Sequence, residues 1–138
     1  MTPQDKALVQ KTFIKVLPIA EQAAALFYGH LFEVKPTLRP LFVSDLREQG
    51  RKLIQMIGYC VGKLDAPDEL LPAVRELGRR HFEYGVVDSD YEAVGTALLW
   101  TLRQGLGDAF TPAVEQAWTA AYRVLATTMK EGGHAGSA

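Results

Sequence analysis

The sequence predicts an all-α fold, and three observations carry that expectation. Apolar residues recur at helical spacing in segment after segment, as in Leu53, Ile57, Val61 and Leu64, or Val114, Trp118, Ala121, Leu125 and Met129. Proline or glycine stands at most of the boundaries between these segments. No stretch alternates apolar and polar residues as a half-buried strand would. The 138 residues suffice for one domain with a substantial core, and 48% of them are hydrophobic, as in an ordinary globular chain.

The elements follow in order. Thr2 caps a first helix, with Pro3 in its first turn and Asp5 three residues after the cap, and Pro18 interrupts it after Leu17. A second helix runs from about Ile19 to Val34 through the strong formers Glu21 to Leu26. Pro36 and Pro40 bracket a short helical turn from Thr37 to Phe42. Ser44 and Asp45 begin a polar corner, and Gly50 punctuates it before a third long helix. Asp65-Ala66-Pro67-Asp68 breaks that helix. A fourth carries Leu70 to His81 and stops near Gly85. Ser89 and Glu92 have the spacing of a capping box for a fifth, which ends before Gly107. Thr111-Pro112 opens the last. Residues 1–131 thus read as one domain of about six to eight helices, and residues 132–138, small and polar, as a disordered tail.

Composition excludes several classes. Fifteen basic residues against sixteen acidic ones give a formal net charge of −1, so no basic surface for nucleic acid is expected. The apolar runs are too short and too interrupted to span a membrane. The start, Met1-Thr2-Pro3-Gln4-Asp5-Lys6, lacks the pattern of a secretory signal. Cys60 is the single cysteine, which rules out an intrachain disulfide and suits a cytoplasmic setting. The three histidines, His30, His81 and His134, form no zinc-helix motif. Gly105 and Gly107 lack the third glycine and the preceding strand of a dinucleotide site. Cys60 falls at the edge of an apolar helix face, where a small buried hydrophobe is the expected role.

His81 carries the most chemistry. Leu70, Val74, Leu77 and His81 are spaced 4, 3 and 4 apart, so one helix face bears three aliphatics and then an imidazole. Such a histidine is either a buried structural residue bonded to a carbonyl or carboxylate, or a ligand to iron or another metal. Upstream, Gln49 and Leu53 share a face four residues apart, Phe42 sits at a corner after two prolines, and Tyr28 lies inside the second helix.

Together these residues resemble the globin family, and in particular the bacterial single-domain haemoglobins related to the haem domain of flavohaemoglobins. The likeness covers about residues 3 to 130. It runs through Leu26-Phe27-Tyr28-Gly29-His30-Leu31-Phe32, Arg39-Pro40-Leu41-Phe42, Gln49-Gly50-Arg51-Lys52-Leu53 and Leu77-Gly78-Arg79-Arg80-His81. It continues through Tyr84-Gly85-Val86, Tyr91, Ala117-Trp118 and Ala121-Tyr122.

The resemblance implies a globin fold enclosing haem b. His81 would be the proximal iron ligand, Phe42 the corner phenylalanine on the porphyrin, and Tyr28 and Gln49 the distal pair that acts on bound gas. Leu53, Ile57, Leu77, Val86, Tyr84 and Tyr91 would line the cofactor. Lys52 and Arg80, with Arg51 and Arg79, are candidate partners for the propionates, against the plainer reading of a solvated helix face. Two positions depart from the pattern: Arg80 stands where a lysine usually precedes the histidine, and Gly133 stands where a last-helix glutamate is expected. Glu131 comes two residues early, about 200° around the helix.

What the resemblance implies for function is reversible binding of dioxygen, with nitric oxide and carbon monoxide as further ligands. It also implies nitric oxide dioxygenation to nitrate, supported by an external reductase because 138 residues hold no flavin domain. Transport or storage as a monomer or weak homodimer is the leading expectation. The alternatives are a haem-based gas sensor acting through a partner, and a haem-free helical domain in which His81 is only structural.

Overall fold

The computed structural model describes residues 1–42 and 45–137. Among them the chain forms six α-helices and three short 3₁₀ turns, with no strand. The helices are α1 (Pro3–Val16), α2 (Ala20–Val34), α3 (Leu46–Gly62), α4 (Pro67–Glu83), α5 (Asp90–Leu106) and α6 (Pro112–Ser137). The 3₁₀ turns cover Leu17–Ile19, Pro36–Leu41 and Gly107–Ala109.

Local chemistry explains most of the boundaries. Thr2 Oγ1 accepts from the Asp5 N–H at 3.1 Å, and the Asp5 carboxylate accepts from the Thr2 N–H at 3.0 Å, closing a reciprocal cap on α1. Pro18 lies in the first 3₁₀ turn, and Pro36 opens the second. Asp45 caps α3 by accepting from the Arg47 N–H at 3.0 Å. Ser44, the other residue of the expected polar corner, lies outside the described residues.

Three expectations differ from the structure. Gly50 is inside α3, not before it. A Cβ there would lie 2.8 Å from Ala24 Cβ, so the glycine serves a close crossing of α2 over α3. Ser89 does not cap α5. It has helical φ and ψ, and its hydroxyl is engaged by Lys35 Nζ at 3.0 Å. Residues 132–137, expected to be disordered, continue α6. Gly132 and Gly133 are buried against α4, and that packing supplies what their low helix propensity lacks.

Two buried clusters form the core. The larger gathers Val9, Phe13 and Val16 of α1, Leu70 and Val74 of α4, and Val114, Trp118 and Ala121 of α6. Trp118 Nε1 donates to Thr12 Oγ1 at 2.8 Å, and Thr12 in turn donates to Leu8 O at 2.7 Å, so neither polar group is left unpaired in the interior. Cys60 is buried, as its place on α3 implied. The smaller cluster joins Phe27, Tyr28 and Leu31 of α2 to Leu38 and to Ala93 and Ala97 of α5. Leu98 packs against both.

The arrangement around α4 positions the site. α4 packs on α6, and neither α3 nor α5 packs extensively on it. A Cβ on Gly78 would lie 2.0 Å from Met129 O, and one on Gly132 would lie 2.0 Å from Arg75 O. The two helix backbones are therefore in direct contact, and α4 stands against α6 with its other side clear of α3.

Candidate functional site

His81 is half-buried on the last turn of α4. Its Nδ1 lies 2.8 Å from Leu77 O. A carbonyl oxygen only accepts, so Nδ1 carries the proton and Nε2 presents a bare lone pair. Among the described residues Nε2 has no partner. Burial pushes the imidazolium pKa down from its ordinary value, with the Leu77 bond opposing part of that shift. The ring is thus neutral, held in one tautomer and open at Nε2, as a histidine must be to bind a metal.

Tyr28, on α2, is buried among aromatics. Its ring meets Phe42 and Phe27 edge-on, each with centroids 5.2 Å apart, and stacks on Phe32 at 6.1 Å. Its hydroxyl donates to Gln49 O at 3.3 Å, and burial pushes the phenol pKa up to about 12. The two residues nominated as a distal pair are therefore adjacent. The Gln49 side chain is half-buried, one turn before Leu53 on the same face of α3. Leu53 and Phe42 pack with Tyr28 in the smaller cluster. Ile57, Leu77 and Val86 are half-buried against the larger one, in which Tyr91 is buried. The residues that were not foreseen are those α5 adds beside Tyr28 and Phe42: Ala93, Val94, Ala97 and Leu98. Their spacing, one helical stripe, is the signal that would have found them.

Other nominated residues stand apart. Tyr84 caps the end of α4 and is 71% exposed. Lys52 is exposed, as is Arg80, which pairs with Glu76 at 3.7 Å. Arg79 is held by Glu76 and Glu83 along α4. Glu131 is exposed and pairs with Arg75 at 3.8 Å. A Cβ on Gly133 would lie 3.2 Å from Phe82 Cβ. Among the described residues, no carboxylate hydrogen-bonds His81. His30, which is two residues from Tyr28, stacks on Trp100 at 4.2 Å, away from this cluster.

The globin family model matches residues 25–129 of this chain. The chain is a globin. It is 32% identical over 129 residues to a flavohemoprotein of Bordetella parapertussis, covering 91% of this chain and 32% of that protein. It is 34% identical over 130 residues to a flavohemoprotein of Vibrio cholerae, covering 91% of this chain and 33% of the relative. The globin chain thus spans about a third of the length of these curated relatives. A solved structure described as a hexacoordinated heme protein from an anhydrobiotic tardigrade superposes with a TM-score of 0.87. That match covers 97% of this chain and 96% of the other at 22% identity, a likeness of fold. No helix among the described residues of this globin is long and apolar enough to cross a membrane.

The residues present suit an iron porphyrin. His81 offers one neutral nitrogen, α4 does not pack extensively on α3, and the residues that pack with Tyr28 are apolar. No group of three or more metal-ligating side chains competes for the metal among the described residues.

Proposed function

We propose that this globin holds haem b between α3 and α4, with His81 as the protein ligand of the iron, and binds dioxygen reversibly. The observation that carries the reading is the Nδ1–H bond from His81 to Leu77 O, which leaves Nε2 bare on a half-buried, apolar helix face. When bound, haem iron supplies an open coordination position for a diatomic gas. Phe42, Leu53 and Ile57 keep water from that space. Tyr28 and Gln49 would donate to that ligand, the Tyr28 O–H by turning from Gln49 O, and a hydrogen bond to a polarised ligand is worth roughly 1.5–3 kcal/mol. Such a bond slows gas release about tenfold or more.

The proximal side supports binding over peroxide chemistry. His81 is hydrogen-bonded to a carbonyl, whereas Glu131 is turned to Arg75 and Gly133 brings no side chain. A neutral, carbonyl-bonded imidazole donates less electron density to iron than one bonded to a carboxylate. Nitric oxide dioxygenation is the second activity, supported by the relatives named flavohemoproteins. Nitric oxide, dioxygen and one electron balance to nitrate, and the electron would come from a reductase.

The test is the dioxygen dissociation rate of the haem-loaded protein by stopped flow. Tyr28→Phe and Gln49→Leu should each release dioxygen about tenfold faster. Rates equal to wild type in both variants would remove these residues from the gas site.

A further inference from the structure

Among the described residues Asp90 is the one buried carboxylate, and nothing in the proposed gas chemistry uses it. It is the first residue of α5, next to Tyr91 and four residues after Val86. Its Oδ2 accepts from the Val87 N–H at 2.9 Å, and its Oδ1 accepts from Lys35 Nζ. Lys35 also donates to Ser89 Oγ at 3.0 Å. Lys35 ends α2, the helix of Tyr28, and precedes the 3₁₀ turn that delivers Phe42.

The pair therefore joins two corners of the fold. One is the α2 end that carries Tyr28 and Phe42. The other is the α4–α5 corner, itself bonded to the histidine turn, because Val86 N–H donates to His81 O at 3.0 Å. The same corners meet a second time, since Leu41 Cδ2 lies 3.6 Å from the position of a Cβ on Gly85. An ion pair with one buried partner and one half-buried one gives little stability that apolar residues of the same size could not give. What it adds is direction: α2 and α5 already pack along their apolar faces, and a charge-assisted bond at the last residues of that contact fixes the end of α2 against the start of α5.

We propose that Lys35 and Asp90 form a latch that closes this corner of the slot between the distal and proximal sides and sets how long the iron porphyrin is retained. The proposal rests on the haem reading above. Lys35 and Asp90 are positioning residues. They hold the Phe42 turn and the Val86 corner at a fixed separation, and neither touches the gas.

The experiment is transfer of ferric haem from the loaded protein to an excess of a high-affinity apoglobin, followed by absorbance. Asp90→Asn and Lys35→Met should lose haem about tenfold faster or more, the scale seen when groups that position a metal's ligands are removed. Because the two residues act as one unit, the double variant should be no faster than the faster single variant. Lys35→Arg, which keeps the charge, should stay close to wild type.

Thr12→Val is the stability control, since it removes the Trp118 bond between α1 and α6 and leaves the latch intact. At a matched urea midpoint it should retain haem as wild type does. Should Asp90→Asn fail to fold, Lys35→Met, at a partly exposed position, gives the same readout. Unchanged loss rates in the single variants, or equal acceleration in Thr12→Val, would overturn the latch. Wild-type protein that takes up no haem would instead overturn the reading beneath it.

Discussion

At His81 two demands meet on one ring. Leu70 and Val74 on its helix face are buried in the core, and Leu77 supplies the carbonyl that fixes the tautomer. The sequence shows the face but not the tautomer, because the Leu77 bond is a backbone contact any residue there could make. Tyr28 and Tyr91 illustrate the energetics of burial at the same scale. Burial pushes each phenol to about 12 from an ordinary 10.0, and the Asp88 and Asp90 charges add to the shift of Tyr91. The unfolded chain ionises these phenols first. The stability they contribute is therefore complete below pH 10 and is lost as pH rises from there through about 12. Urea unfolding of the apoprotein should show stability falling between about pH 10 and about pH 12, with a smaller fall in Tyr28→Phe. An identical fall in wild type and variant would mean that the Tyr28 hydroxyl is not shielded.

At the scale of elements, α4 and α6 are the informative pair. Their backbones touch at Gly78 and Gly132, where an added methyl group would overlap Met129 O or Arg75 O. Gly78→Ala should push α4 away from α6 and destabilise the fold by about 1–3 kcal/mol, the usual range for overpacking, seen as a lower urea midpoint. Truncation after Glu131 discriminates further. A disordered tail would be lost without effect, whereas removal of residues that continue α6 and bury Gly132 and Gly133 should lower the thermal midpoint by several degrees, on the order of 1 kcal/mol.

Most element boundaries were legible because their causes are local: the Thr2–Asp5 cap, Pro18, Pro36, Pro67 and Gly107. The exceptions have distant causes. Ser89 was read as a cap, but Lys35, 54 residues away, takes its hydroxyl. Gly50 was read as punctuation, but Ala24 of another helix requires its missing Cβ. The glycines of the tail were read as disorder because their partner, α4, is far away in sequence.

Across the whole molecule, two clusters share Leu98, and α4 contributes to the larger of them through its packing on α6 while it stays clear of α3. The fold class and the order of Tyr28, Phe42, Gln49, Leu53 and His81 were readable from the chain, since each lies in a segment of clear helical or corner character. The exposure of Tyr84 and the Lys35–Asp90 contact were not, because orientation at a helix end and pairing across 55 residues depend on the assembled structure. The central claim is that His81 holds haem iron in this globin, and titration of the purified apoprotein with haem, followed by absorption, tests it directly. Wild type should take up one equivalent, show a Soret band and shift it on reduction and on exposure to carbon monoxide, while His81→Ala should lose most retention. Wild-type protein without a Soret complex, or a His81→Ala spectrum identical to wild type, would contradict the account.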